Sequence, residues 1–272
     1  MSVFTADWLA MREPYDMRAR NSRVFDAAVA AFAGRASIKV VDLACGTGSA
    51  LRAIAPRLPG RQVWKMLDKD RALLARAGER SHPGATVTAC AIDLACDLEN
   101  ALVEPADLIV TSALLDLVSI DWLQRLVSIA VARQILFYAA FTYDGRVVLD
   151  PDDPLDAPII EAANQHQLRD KGFGPALGPD ASRESIALFE RSGYSVVQGR
   201  ADWMFGPEDR AIQLSILDGW AAVAHELGRL PPPDIEAWLM RRRDFVSAGR
   251  SSMLVGHVDV FAAPRPAADT TE

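Results

Sequence analysis

Two kinds of apolar pattern alternate along the first half of the chain. Short runs rich in β-branched or large apolar residues, at Ile38–Val41, Gln62–Leu67, Ala85–Cys90, Asp107–Ser112 and Gln134–Ala139, have the length and composition of strands. Between them, Ala50–Ile54, Arg71–Arg80 and residues 120–132 space their apolar residues as helices do. Strands alternating with helices predict a doubly wound α/β fold, with a mostly parallel sheet and helices on both faces. Right-handed crossovers then gather the carboxyl ends of the strands along one edge, where ligands bind in such sheets. A helix over 181–192 ending at Gly193, a strand over Tyr194–Gln198 and a last strand over Ser252–Phe261 bring the expected sheet to seven strands.

Three stretches fall outside this alternation. Residues 5–33 predict two helices broken near Pro14, so 1–34 reads as an N-terminal helical cap. Residues 143–180 are too long for a simple connection and predict a lid, with a helix near 157–168. Residues 203–250 predict a helical insertion, with helices near 209–227 and 234–247 separated by Pro231-Pro232-Pro233. The core domain is then 35–262 with these two insertions, followed by a disordered Pro/Ala/Thr tail over 263–272.

Composition narrows the class. The 272 residues are half apolar and carry a formal charge of −7, which argues against a phosphate-backbone partner. The N-terminus carries Asp7, Arg12 and Glu13 in place of the apolar run of a signal peptide. No apolar run reaches the roughly 18 residues of a membrane span. Cys45, Cys90 and Cys96 cannot all pair and show no metal-ligand spacing with the histidines, so reduced thiols and no metal are expected. These features predict a cytoplasmic protein, monomeric or homodimeric, with a small-molecule substrate and neither nucleic acid nor membrane as partner.

The chemistry concentrates at Val40-Val41-Asp42-Leu43-Ala44-Cys45-Gly46-Thr47-Gly48-Ser49. A buried strand ends in a carboxylate, then a small-residue turn lets a ligand approach the backbone, then a helix begins that Ser49 can cap. A Walker phosphate loop is excluded because Gly48-Ser49-Ala50 offers no lysine. A dinucleotide fingerprint is disfavoured by Leu51, where close packing of helix on strand asks for a small residue.

The run Val41–Gly48 resembles the first motif of the class I S-adenosylmethionine-dependent methyltransferase family, with Ala44 at the first glycine position. Asp68 stands at the end of the second strand, Asp93-Leu94 follow the third, and Thr111-Ser112-Ala113-Leu114-Leu115 follow the fourth, in the order that family shows. The resemblance spans roughly residues 35–142. It implies S-adenosylmethionine as cofactor, with Asp68 accepting both ribose hydroxyls, Lys69 beside it, and Asp93 and Leu94 reading the adenine edge. It further implies that Asp42, Ala44, Cys45, Gly46 and Gly48 face the amino-acid end and that Ser112 and Ala113 pass beneath it. An N-terminal arginine is expected to meet the cofactor's carboxylate, with Arg20 ahead of Arg12 and Arg18.

Methyl transfer is an in-line displacement, so holding the acceptor in line provides most of the acceleration, and a base is needed only for a proton of high pKa. Asp116, after the fourth strand, is the best-placed base, with His166 in the lid as a second candidate and Tyr143 as a wall of the acceptor pocket. Lys171-Gly172-Phe173-Gly174-Pro175 has the glycines of a hinge and a Phe to cover a ligand. The acidic run at 150–156 reads as solvated turns, and Arg241-Arg242-Arg243 as the wet face of a late helix. Ser112-Ala113-Leu114-Leu115 lacks the Asn-Pro-Pro-Tyr type motif of DNA and protein-glutamine enzymes. The expected activity is O- or N-methylation of a small molecule. The alternatives are a protein or carrier-bound acceptor, or a regulatory protein that binds the cofactor without turnover.

Overall fold

The computed structural model describes residues 4–78 and 82–265. Helices α1 (Ala6–Ala19) and α2 (Ser22–Ala30) precede β1 (Ser37–Leu43), α3 (Ser49–Ile54), β2 (Arg61–Asp68), α4 (Arg71–Gly78) and β3 (Ala85–Ala91). Then follow α5 (Leu98–Ala101), β4 (Leu108–Ser112), α6 (Ile120–Ala132), β5 (Leu136–Asp150), α7 (Asp156–Gln167) and α8 (Ala181–Arg191). The chain closes with β6 (Tyr194–Arg200), β7 (Trp203–Phe205), α9 (Arg210–Leu227), α10 (Pro232–Ser247) and β8 (Ser252–Pro264).

The sheet has the order β3-β2-β1-β4-β5-β8-β6 and an eighth strand, β7, paired to β8. Strands β1 to β5 pair in parallel, and β8 runs antiparallel to both β5 and β6. Alternate residues of each central strand serve opposite cores, as the two-residue period of a strand requires. Val40, Val110 and Tyr138 pack with α2 and α3, whereas Val41, Ile109 and Phe137 pack with α6 and α8. This two-sided burial explains why the central strands read as near-continuous apolar runs.

A third core lies between the prolonged ends of β5 and β8, the short β7 and helices α7, α9 and α10, with Ile159, Leu217 and Trp238 buried in it. Here the structure departs from the expected boundaries. Strand β5 does not stop before Tyr143 but continues to Asp150, with irregular pairing to β8 between Ala139 and Thr142 and again between Tyr143 and Val147. The bulged ladder bends the hairpin and lets one strand serve both the main sheet and the cap. The stretch expected as wholly helical over 203–250 opens with β7.

Three further expectations are corrected. Helix α1 runs unbroken through Pro14, and the break falls at Arg20-Asn21, where the Asn21 side chain accepts from the Val24 amide and caps α2. The missing bond at Pro14 is outweighed by anchors around it: Trp203 Nε1 donates to Asp16 at 2.9 Å, and Tyr15 OH to Asp209 at 2.7 Å. Gly48, in the left-handed region at φ 82°, is the N-cap of α3, and Ser49 is already helical. Ala263 and Pro264, expected in the tail, belong to β8 because Val196 and Tyr194 pair with this end of the strand. The remainder of the expected tail, from 266 onward, lies outside the described residues.

The two charge clusters neutralise each other. Arg242 is fully buried, pairs with Asp156 and donates to the Pro151 carbonyl at 2.6 Å, while Arg241 bridges Asp153 at 2.5 and 2.9 Å. Arg241 and Arg243 keep the expected exposed face, whereas Arg242 turns inward as the clamp between α10 and the start of the lid.

Candidate functional site

Strand β1 ends with Asp42 buried beneath the turn Ala44–Gly48. Ala44 and Gly46 both take positive φ, 55° and 54°, and a Cβ added at Gly46 would sit 3.2 Å from Leu9 of α1. The turn is therefore roofed by α1, and no bulk is tolerated between them. Asp68, at the end of β2, accepts from the Gly46 amide at 2.8 Å and from the Asp70 amide at 2.9 Å. Each carboxylate oxygen keeps a further lone pair for a ligand donor. The Ile92 amide donates to the Asp68 carbonyl at 3.0 Å, which seats Asp93 beside this edge. Asp93 itself accepts from the Ala95 amide at 3.0 Å, and the carbonyl of buried Leu94 is held by Trp122 Nε1 at 2.7 Å. Lys69 is exposed between the two acids Asp68 and Asp70.

Under α1 lies a cavity of about 40 Å³, lined by Arg12, Asp42, Ala44, Cys45, Gly46 and Ser112 among others. Both carboxyl oxygens of Asp42 and the hydroxyl of Ser112 are buried with no hydrogen-bond partner among the described residues. Burial, reinforced by the nearby charge of Asp68, pushes the Asp42 carboxyl up to about 8. Buried polar atoms without partners carry a free-energy cost that a bound polar group would relieve. Burial also pushes the Cys45 thiol up, which leaves it inert as a nucleophile.

The N-terminal arginines separate. Arg12 is buried, forms a two-point pair with Asp16 at 3.0 and 3.3 Å, and lines both this cavity and a larger one. Arg20 turns beneath β5 instead, donating to Tyr138 OH at 2.7 Å and lying over Phe141 at 5.0 Å. Arg18 lies over the Tyr15 ring at 4.6 Å and lines neither cavity. Arg12 is thus the one of the three that lines the cavity beside Asp42, while the charge of Arg20 lies near enough to oppose the rise in the Asp42 pKa.

The larger cavity, about 810 Å³, opens where the carboxyl edge of β4 and β5 faces the cap. Ala113, Asp116, Tyr143 and His166 all line it. Ala113 and Phe141 hold left-handed φ values of 51° and 57°, uncommon for residues with side chains, and both are fixed by main-chain hydrogen bonds. The Ala113 amide donates to the Ala140 carbonyl, and the Phe141 amide to the buried Asp259 carboxylate, each at 2.9 Å.

Asp116 is buried, one of its oxygens has no partner among the described residues, and burial pushes its carboxyl up to about 6. Arg12 and Lys171 oppose that rise. Tyr143 OH donates to Asn164 at 2.7 Å, and burial pushes the phenol up, so it serves as a donor and a wall. His166 Nδ1 is 3.1 Å from Lys171 Nζ and its Nε2 is 3.4 Å from Glu226, with burial and then Lys171 pulling its pKa down. Phe173, expected to cover a ligand, packs edge-on against Trp122 on the other side of the sheet.

One cavity residue escaped the sequence reading. His257 on β8 is buried between Trp203, Phe141 and Tyr143, with ring centroids 4.6, 6.3 and 6.0 Å away. Its pattern in Gly256-His257-Val258 is that of an ordinary strand residue. Only the pairing of His257 with Tyr143 across the bulged β5–β8 ladder brings it to the site.

No family model matches the sequence, and no curated protein matches it. Among solved structures, the chain is similar to a cyclopropane-fatty-acyl-phospholipid synthase-like protein from Lactobacillus casei. The TM-score is 0.53 at 12% identity, over 94% of this chain and 93% of that one. It is also similar to a cyclopropane synthase from Mycobacterium tuberculosis (TM-score 0.46, 12% identity, 97% and 87% covered). A S-adenosylmethionine-dependent methyltransferase from Thiobacillus denitrificans, solved with S-adenosyl-L-homocysteine, gives 0.45 at 16% identity, with 96% and 99% covered. At such identities the likeness is one of fold. With its parallel strands, its antiparallel β8 inserted between β5 and β6 and its glycine turn after β1, the chain has the class I methyltransferase fold.

Proposed function

We propose that the chain is a S-adenosylmethionine-dependent methyltransferase acting on a small molecule enclosed beneath the cap, with an oxygen or nitrogen acceptor. The observation that carries this reading is the pair of unsatisfied buried groups, Asp42 in β1 and Ser112 at the end of β4, beside a turn whose neighbour Asp68 presents a carboxylate already oriented by two amides. That set suits the cofactor: Asp68 for the ribose hydroxyls, Asp93 and Leu94 for the adenine edge, and Asp42, Ser112 and Arg12 for the ammonium and carboxylate. When bound, the cofactor supplies a methyl group on a positively charged sulfur. Arg12 lines both cavities, and Ser112 of the smaller one is followed in the chain by Ala113 of the larger, so an acceptor held in the larger cavity lies next to the donor side.

The protein's own contribution is then positional and electrostatic. Asp116, ionised at neutral pH with a raised proton affinity, is the group placed to receive a proton from the acceptor. A cleft of about 810 Å³ has the size of small-molecule sites. The reading is tested by titrating S-adenosylhomocysteine into the chain in a calorimeter. One site per chain is expected, weakened at least tenfold by Asp68→Ala; no heat of binding, or equal affinity in both, would overturn it.

A further inference from the structure

We infer that the larger cavity recognises a primary or secondary amine carried on an apolar, aromatic-sized body. This deepens the methyltransferase reading above and rests on it only for the fate of the bound amine, since the recognition chemistry belongs to the cavity itself.

Two residues that line that space, Asp116 and His257, each carry an acceptor atom with no side-chain donor among the described residues. The first is Asp116 Oδ1, unpartnered on a side chain that is 95% buried. The second is His257 Nε2. The His257 Nδ1 atom lies 3.0 Å from the Val255 carbonyl oxygen, which can only accept, so the ring proton sits on Nδ1 and Nε2 presents its lone pair. Burial, and then the charge of Arg12, pulls the ring down to about 3, so this tautomer persists at working pH. Nε2 makes no hydrogen bond among the described residues. Tyr143 lies beside both groups, and its own hydroxyl is committed to Asn164.

A hydroxyl has one hydrogen to offer and can satisfy only one of these acceptors. A carboxylate or phosphate has none and would meet Asp116 as a like charge. An amine offers two or more, and its protonated form also pairs with the Asp116 charge. The surrounding cations do not take that role, because each is engaged: Arg12 with Asp16, Lys171 with His166, and Arg169 with Glu226. The walls add the rest. Trp8 and Trp220 supply aromatic faces to an apolar body and favour a neighbouring cation, while the rings of Trp203 and Phe141 already carry Arg12 and Arg20 at 5.0 Å. In this arrangement the N–H bond of the ammonium breaks and an O–H bond forms on Asp116, leaving a neutral amine with a free lone pair. His257 holds a second N–H and, being too weak a base to take it, fixes the direction of that lone pair.

The test uses three probes of matched shape: 2-phenylethylamine, 2-phenylethanol and phenylacetate, each titrated calorimetrically into the full chain. The amine is expected to bind at least tenfold tighter than the other two. Asp116→Asn should remove that preference while melting as a folded protein, and His257→Phe should weaken the amine about tenfold. Undetectable amine binding, alcohol or carboxylate binding as tight as the amine, or an unaltered preference in Asp116→Asn each overturns the inference; unchanged amine affinity in His257→Phe overturns its two-point form. Because S-adenosylhomocysteine is titrated separately, a chain that binds amine but not that ligand contradicts the methyltransferase reading alone.

Discussion

Asp42 is the residue on which the donor side turns, and its energetics are unusual for a carboxylate. Its folded pKa of about 8 lies above the unfolded value of 3.8. Between those values the native state holds a proton that the unfolded chain has released, so the contribution of Asp42 to stability declines as pH rises from about 4 to about 8. Asp42→Asn removes this dependence. Its melting temperature relative to wild type should climb by several degrees between pH 5 and pH 8; a pH-independent offset would count against the buried, unsatisfied carboxyl. The same linkage acts on ligand binding: an ammonium favours the ionised form, so S-adenosylhomocysteine affinity should rise from pH 6 to pH 8 in wild type and stay flat in Asp42→Asn. The acids at strand ends were legible in the sequence because a strand fixes where its last residue points. His257 was not, and Arg12 was named only behind Arg20, since their places depend on a bulge and on the docking of a helix, which no local pattern encodes.

At the scale of elements, α1 and α10 decide the shape of the site. Glu13 on α1 clasps Arg52 on α3 at 2.5 and 2.7 Å, and Arg52 also donates to the Thr47 carbonyl of the glycine turn at 2.5 Å. The cavity left beneath has room for only a few water molecules, so α1 must shift for a larger group to enter. Glu13→Ala should therefore speed S-adenosylhomocysteine association in stopped flow and lower the hydrogen-exchange protection of α1; unchanged rates would show that α1 is not the barrier. On the cap, Arg242 carries Asp156 and the Pro151 carbonyl together, and Trp238 Nε1 adds a bond to Asp156 at 2.8 Å. Arg242→Ala leaves the largely buried Asp156 carboxylate with no buried cation beside it, only the Trp238 and Asp153 N–H donors, and denaturant titration should record a loss of about 3–5 kcal/mol. A loss below about 1 kcal/mol would mean the clamp is dispensable. Both elements show why sequence reading erred here. Pro14 and the Arg run are local signals, whereas α1 is kept whole by Trp203 and Asp209, and Arg242 is drawn inward by residues 86 to 91 positions away.

For the whole molecule, the sheet joins a donor edge to an acceptor chamber. The alternation of strands and helices, the layers on both faces of a mostly parallel sheet and the helices of the cap followed from apolar spacing, because parallel strands buried on both sides leave a strong signal; the order of the strands did not. The extension of β5 past Tyr143 was hidden, since a bulged strand loses the regular alternation by which strands are recognised. That extension matters most, because it carries Tyr143 and, through its partner β8, His257 into the chamber. The central claim is that the small cavity under α1 and the large one under the cap, which share Arg12 as a wall, serve one cofactor and its acceptor. A crystal structure with S-adenosylhomocysteine tests it most directly. The account predicts ribose hydroxyls on Asp68, the amino-acid end at Asp42 and Arg12, α1 displaced, and the sulfur facing the chamber of Asp116 and His257. A ligand bound away from the β1 turn, or with its sulfur turned from that chamber, would contradict it.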